Sequence, residues 1–392
     1  MKNLTTGALI AGSTMLSPFA AYAETEIQFW HAFTGRLGEL VAAQVEDFNA
    51  SQDEFTVVQS HKGNYSETLN AGIAAFRAGE QPQILMVFEV GTATMMAAEG
   101  AVRSVTEVLQ ESGADFDPDA YISAVNGYYT STDGEMLSLP FNASTPVLWV
   151  NRDAFEAAGV DPDTDLSTWQ NVGEVLGQLR DGGSTCPLTT AWQSWIHLEN
   201  FSAYHDVPFA TQENGFAGLD TELSFNGEAQ VAHIAAMGEW AQDGRFIYSG
   251  RRNEGGANFR AGECALFTES SAGYAGIKAE AAFDFDVRPL PYWEGVGNSP
   301  QNTIIGGASL WVMEGHEPEE YEGAAEFLAY LSSSDVQAQW HKDTGYLPIT
   351  NAAADATRAS GFYEENLGTD SKLQRSASLV FRPDPYHHRR RA

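Results

Sequence analysis

The amino-acid sequence predicts an α/β chain folded into two lobes, with interrupted domains and a hinge between them. Three observations carry this expectation. Strand-like runs alternate with helix-period runs, a second set of such units begins after Thr145-Pro146, and no low-complexity linker separates the two sets. Two α/β units without a tether imply a chain that crosses between them more than once. Such an arrangement opens and closes about strand-like hinges and traps what lies in the cleft.

In the first set, 27–30 reads as a strand, and Leu37, Leu40, Val41, Val45 and Phe48 follow at helical spacing. Residues 55–58 form a second strand. Leu69, Ile73 and Phe76 then share a helical face closed by Gly79 as C-cap. The run 83–88 is nearly all apolar, as a strand covered on both faces should be, and the alternation predicts a parallel sheet between helices. In the second set, 147–151 is a strand. Ser167-Thr168-Trp169-Gln170 is read as a capping box opening a helix through Val172, Val175, Leu176 and Leu179. Val231, Ile234, Ala235 and Trp240 mark another helix, and 309–313 another strand. A helix carrying Ala324, Phe327, Leu328 and Leu331 follows, and Ser334-Asp335-Val336-Gln337 opens one more. The expected division is 24–145 with 309–333 for the first lobe, and 146–308 with 334–392 for the second.

The first residues give the address. Lys2, an apolar stretch over 7–19 and Ala21-Tyr22-Ala23 before Glu24 have the layout of a secretory signal peptide, so 1–23 is expected to be removed in export to the periplasm. The stretch is too short and too mixed to span a bilayer, and no Cys follows it to carry a lipid. At 43% hydrophobic and 19% charged, the chain has material for packed cores. Its formal charge of −32, from 53 acidic and 21 basic residues, opposes nucleic acid and anionic membrane surfaces as partners. Each of the two cysteines, Cys186 and Cys264, precedes a strand-like segment, and spacing leaves one disulfide or two buried thiols equally open.

The sequence has no G-x-S-x-G elbow, no P-loop and no G-x-G-x-x-G after a strand, and no Cys, His or carboxylate spacing completes a metal site. Neither catalysis nor a cofactor is implied. What stands out is aromatic and small polar residues gathered in loops after strands: Lys62-Gly63-Asn64-Tyr65, Glu89-Val90-Gly91-Thr92, Phe141-Asn142-Ala143-Ser144-Thr145, Trp192-Gln193-Ser194-Trp195, Ser270-Ser271, Ile305-Gly306-Gly307-Ala308 and Thr344-Gly345-Tyr346. Rings that stack on C–H faces, with hydroxyls and Gly N–H groups for oxygens, suit a polyol or sugar-like ligand.

The sequence resembles the periplasmic sn-glycerol-3-phosphate-binding proteins of ABC importers. The resemblance is carried by KGNY (62–65), AGIAAFRAG (71–79), EVGTATMMA (89–97), PFNASTPVLWVNRDAF (140–155), WQSWIHLENFSA (192–203), IIGGASLWVM (304–313) and TGYLPIT (344–350). It implies a type II periplasmic-binding-protein fold that captures sn-glycerol 3-phosphate or a glycerophosphodiester such as glycerophosphocholine. The partners implied are inner-membrane permease subunits, with a monomer suited to lobe closure. By position it implies that Tyr65, Glu89, Ser144, Ser270, Gly307 and Tyr346 bind ligand and that Trp192 stacks on it, with Trp195 beside it. Glu89, an acceptor repelled by phosphate, belongs at the glycerol end. The hydroxyls and the Gly307 N–H form a mostly neutral phosphate site. The resemblance stops near Lys372; the family's phosphate-clamping Arg maps to neither Arg382 nor 389–391 in the basic run that ends the chain. Two rivals stand beside this reading: an oligosaccharide or polyol ligand on the same fold, and a secreted glycerophosphodiester hydrolase.

Overall fold

The computed structural model describes residues 24–365 apart from 115, 132, 216, 217 and 219. The expected signal peptide and the basic C-terminal run lie outside the described residues. The strands are β1 (Thr25–His31), β2 (Phe55–His61), β3 (Ile84–Phe88), β4 (Val102–Arg103), β5 (Leu139–Ser144), β6 (Pro146–Asn151), β7 (Leu188–Thr190), β8 (Leu266–Ser270), β9 (Phe285–Pro289) and β10 (Gly306–Met313). They form two sheets, one ordered β2-β1-β3-β10-β4 with β5 also paired to β10, the other ordered β7-β8-β6-β9.

The chain passes from the first sheet to the second between β5 and β6, where Thr145 alone separates the strands, and returns between β9 and β10. The first of these connections is short enough to act as a hinge, because few dihedrals set the angle between the sheets there, whereas the return runs over 290–305. Isolated bridges Ala143↔Leu347 and Tyr121↔Thr350 bring the chain after helix Ser334–Thr344 against the first lobe. Trp340, Tyr346 and Ile349 accordingly share the first core with Ile27, Phe29, Phe141 and Phe327. In the second lobe, Leu148 and Val150 of β6 face one core while Val147 and Trp149 face another. Period-2 alternation of apolar residues on both faces is what a sheet buried on both sides requires.

The sheets are mixed rather than parallel. β1 pairs parallel with β2 and β3, but β10 runs antiparallel to β3, β4 and β5, and β6 antiparallel to β8 and β9. β10 arrives from the other lobe, not through a helical crossover within its own sheet, so nothing compels it to run parallel. Helix Trp169–Asp181 is capped by Thr168, whose side chain accepts from the Asn171 N–H at 3.2 Å, one residue later than the capping box read from Ser167 and Gln170. The helix marked by Val231, Ile234, Ala235 and Trp240 is present as Glu228–Gln242; it buries Trp240 together with Gln230, His233 and Met237 but leaves Val231 and Ile234 exposed. Cys186 and Cys264 form a disulfide with Cα atoms 4.5 Å apart. They precede β7 and β8, which pair in parallel with Leu188 opposite Leu266, so the register places the two cysteines side by side.

Candidate functional site

The expected site residues collect at the ends of strands facing the passage between the sheets. On the first-lobe side, Tyr65 opens helix Tyr65–Ala78. Asn64 caps that helix by accepting from the Ser66 and Glu67 N–H groups, and Glu67 returns the bond to the Asn64 N–H at 2.8 Å. The Tyr65 ring stacks on Phe88 with centroids 5.4 Å apart. Glu89 follows β3 directly, and its carboxyl accepts the Gly307 N–H at 3.1 Å. Gly307 has φ +133°, and a Cβ there would overlap the Asn142 carbonyl, so only glycine presents its N–H here. Ser144, at the end of β5, is buried opposite Gly306. Tyr346 follows the left-handed cap Gly345, at which a Cβ would lie 2.5 Å from the Ser271 carbonyl of the second lobe. The Tyr346 and Tyr65 hydroxyls lie close enough to shift each other's titration.

The second-lobe side carries the flat surfaces. Trp192 follows β7 with φ +46°, a conformation that costs of order 1–3 kcal/mol for a bulky residue. Its backbone is pinned at both ends: its N–H donates to the Arg252 carbonyl at 2.8 Å, and its carbonyl accepts from the Ile196 N–H at 2.9 Å. Trp195 is buried and packs edge-on against Gly306, where an added Cβ would lie 2.6 Å from its Cζ2. Ser270 ends β8; its Oγ accepts the Ala272 N–H at 3.1 Å, leaving its O–H to donate. Ser271 N–H then donates to the Thr145 carbonyl at 2.8 Å, which fixes this turn to the hinge.

The electrostatics are those of a site rich in neutral donors and uncompensated carboxyls. Burial pushes Glu89 up to about 7, opposed by the N–H groups it accepts and reinforced by the nearby Glu199. Burial also pushes Tyr65 up to about 12 and holds Tyr346 well above its usual range. Several polar atoms here are buried without a partner: both amide atoms of Asn142, the Trp195 Nε1, the Ser271 Oγ and one oxygen of Glu269. Buried polar groups are rarely left unpaired in folded proteins, so their concentration at one passage marks a place prepared for a polar ligand. Among the described residues no cluster of metal-ligating side chains is present, and no helix is long and apolar enough to cross a membrane.

The sequence over 43–367 matches the family model of bacterial extracellular solute-binding proteins. The chain belongs to that family. This solute-binding protein is 48% identical over 351 residues to the sn-glycerol-3-phosphate-binding periplasmic protein UgpB of Yersinia pestis, an alignment covering 89% of this chain and 80% of that one. It is 47% identical over 368 residues to the protein of the same name from Escherichia coli K12, covering 94% and 83%. Its fold matches the crystal structure of UgpB from Mycobacterium tuberculosis in complex with glycerophosphocholine, with TM-score 0.76, 20% identity and coverage of 93% and 88%. Identity that low speaks for the two-lobe fold alone. The relatives named are binding proteins, not enzymes.

Within the solute-binding protein, the structure brings Tyr65, Glu89, Ser144, Gly307 and Tyr346 together on one wall and sets Trp195 against Gly306. Trp192 and Ser270 stand on the facing lobe. Sequence reasoning passed over Asn142, Glu199 and Glu269 as site residues. Asn142 sits inside a string already singled out, and its alternation with Phe141 and Ala143 in β5 was a usable signal. Glu269 had a weaker one: a lone acid in the otherwise uncharged strand Leu266–Ser270, just before the Ser-Ser pair.

Proposed function

We propose that this protein captures sn-glycerol 3-phosphate or a glycerophosphodiester in the periplasm and delivers it to an ABC-type importer of the inner membrane. No bond is made or broken in the binding protein. Lobe closure over the ligand, with the lobe built on the first sheet (including the segment 340–349 that packs in its core) moving against the lobe built on the second, presents the occupied form to the permease. The monomer is the working unit, and nucleic acid is no partner for so acidic a chain.

The observation that carries the reading is the Glu89 carboxyl oxygen on the Gly307 N–H. A carboxyl oxygen already sits on a donor that only glycine can present, beside the Tyr65 and Tyr346 hydroxyls. A ligand phosphate oxygen is received by the same kind of group, while Glu89 accepts from glycerol hydroxyls. Ser144 and Ser270 add hydroxyl donors from each side of the hinge, and Trp192 and Trp195 wall the carbon chain. Neutral donors of this kind bind an anion by direction rather than bulk field.

Isothermal titration calorimetry of the purified protein with sn-glycerol 3-phosphate and glycerophosphocholine tests this, with maltose as the control ligand. Binding of either phosphoester, weakened about tenfold or more by Trp192→Ala or Glu89→Ala, is expected. Binding of maltose but of neither phosphoester would overturn it. Release of choline from glycerophosphocholine by the protein would instead make it an enzyme.

A further inference from the structure

We propose that Glu269 is a specificity determinant of the cleft, pairing with a cationic head group, an amine or quaternary ammonium, on a phosphodiester ligand. The inference rests on the proposed function and adds to it the class of head group.

Glu269 lies at the carboxyl end of β8, in the lobe opposite Glu89, next to the turn that Ser271 ties to the hinge. It is 2% exposed. One carboxyl oxygen accepts the Ser270 N–H at 2.6 Å, while the other is buried with no hydrogen-bond partner. An acceptor left unsatisfied inside a protein costs about 1–3 kcal/mol, and a charged one costs more, so its persistence asks for an occupant. Its surroundings say which kind. The Trp192 indole N–H faces the carboxyl from the loop after β7, and Tyr346 reaches toward it from the first lobe. Gly273 and the Trp149 ring pack beneath it.

The charged groups around Glu269 leave it uncompensated. Arg260 is near enough to be felt, but it is committed to Glu280 at 2.8 Å. Lys278 lies over the Tyr274 ring, 5.1 Å from its centroid. Across the cleft, Glu89 and Glu269 both act on Tyr346, their common neighbour. A desolvated cation is stabilised by an aromatic face together with an anion, and Trp192 with Glu269 supplies both. Glycerol 3-phosphate brings no cation to pair with this carboxyl.

The protonation state gives a second handle. Burial pushes Glu269 up to about 8, so near neutrality it is largely protonated. A cationic head group drives it to ionise, and the proton leaves to solvent. An anionic ligand without such a group leaves the proton in place.

The test is calorimetry at pH 7 in two buffers of different ionisation enthalpy, on the full-length protein and on Glu269→Gln, with glycerophosphocholine and with sn-glycerol 3-phosphate. The glutamine keeps an acceptor for the Ser270 N–H, and retained glycerol 3-phosphate binding shows that the variant is folded. The expected result is a tenfold or greater loss for glycerophosphocholine with glycerol 3-phosphate changed less than about twofold. More proton release is expected with glycerophosphocholine than with glycerol 3-phosphate, and Glu269→Gln is expected to remove that excess. Equal loss for both ligands, or no loss for either, would overturn the inference while leaving the proposed function intact. So would proton release with glycerophosphocholine no greater than with glycerol 3-phosphate in the unsubstituted protein, a readout that needs no variant. Failure of that protein to bind either ligand overturns the proposed function, and this inference with it.

Discussion

Two residues of the first-lobe wall show how position, rather than residue type, sets the chemistry. Gly307→Ala asks an alanine to hold φ +133° while its methyl group meets the Asn142 carbonyl. The strain alone is about 1–3 kcal/mol, and the strand must move to relieve it, which withdraws the N–H from Glu89. Lowered thermal stability together with a tenfold or greater loss of ligand affinity is the expected outcome, read by thermal denaturation and calorimetry. Glu89→Gln has the opposite effect on stability. The folded state raises this carboxyl from 4.5 to about 7, so ionising it costs folding energy that grows as pH rises through that window and is constant above it. Glutamine still accepts the Gly307 N–H without a buried charge. The variant should therefore melt several degrees above the parent at pH 8 and no higher than it at pH 4.5, while binding ligand more weakly. A variant no more stable at pH 8 would show that Glu89 is not a buried, strained acid. Function is then held at a cost in stability, as binding sites commonly are.

Helix Glu228–Gln242 and the segment Trp195–Asn200 are joined by a histidine relay whose proton order follows from its donors. The Trp293 Nε1–H can only donate, so His233 Nδ1 accepts it at 3.0 Å. His233 therefore donates through Nε2 to His197 Nδ1 at 3.0 Å, and His197 donates through Nε2 to the Thr190 hydroxyl at 2.9 Å. A proton added to either ring would set two donors face to face. Burial depresses His197 to about 4 and holds His233 well below its usual range. Replacing His233 with glutamine is expected to cost about 1–3 kcal/mol at pH 7, and to make the loss of stability between pH 6.5 and 4 shallower than in the parent, as denaturant titrations at each pH can read. This relay also explains why the buried face of the helix is not its most apolar one. Apolar spacing pointed to Val231 and Ile234, but the buried positions include Gln230 and His233, whose partners Ser202, Pro208, His197 and Trp293 are distant in sequence. Elements whose burial is purely apolar, such as β3 or helix Pro318–Ser332 with Ala324, Phe327, Leu328 and Leu331, were legible from period alone. The site was legible where aromatic and glycine residues cluster in loops. It was illegible at Glu269, because one acid ending an apolar strand looks like any solvated end until burial and the missing partner are seen.

For the whole molecule, two families of buried groups pull stability in opposite directions with pH. Glu89 and Glu269 are raised to about 7 and about 8, so lowering the pH from 8.5 protonates them in the folded state first and relieves their cost. His31, His197, His205, His233 and His341 are all lowered by burial, and their contribution is complete above the unfolded value of 6.5. That contribution is lost as the pH falls from 6.5 toward 4, because the unfolded chain gains protons that the folded one refuses. Above 6.5 the carboxyls dominate, and the repulsion within a chain of formal charge −32 acts in the same sense. Below 6.5 five histidines outnumber the four carboxyls that burial raises, Glu89, Glu199, Glu269 and Glu326. The thermal midpoint should therefore pass through a maximum near pH 6.5, falling on both sides, when melting is followed by circular dichroism from pH 8.5 to 4.5 at fixed ionic strength. A midpoint that climbs steadily toward pH 4.5 would mean that the histidines are not the buried neutral groups described. Glu89→Gln should flatten the alkaline limb and His233→Gln the acid limb. Because the first change sits in one lobe and the second in the other, their effects on the profile should add.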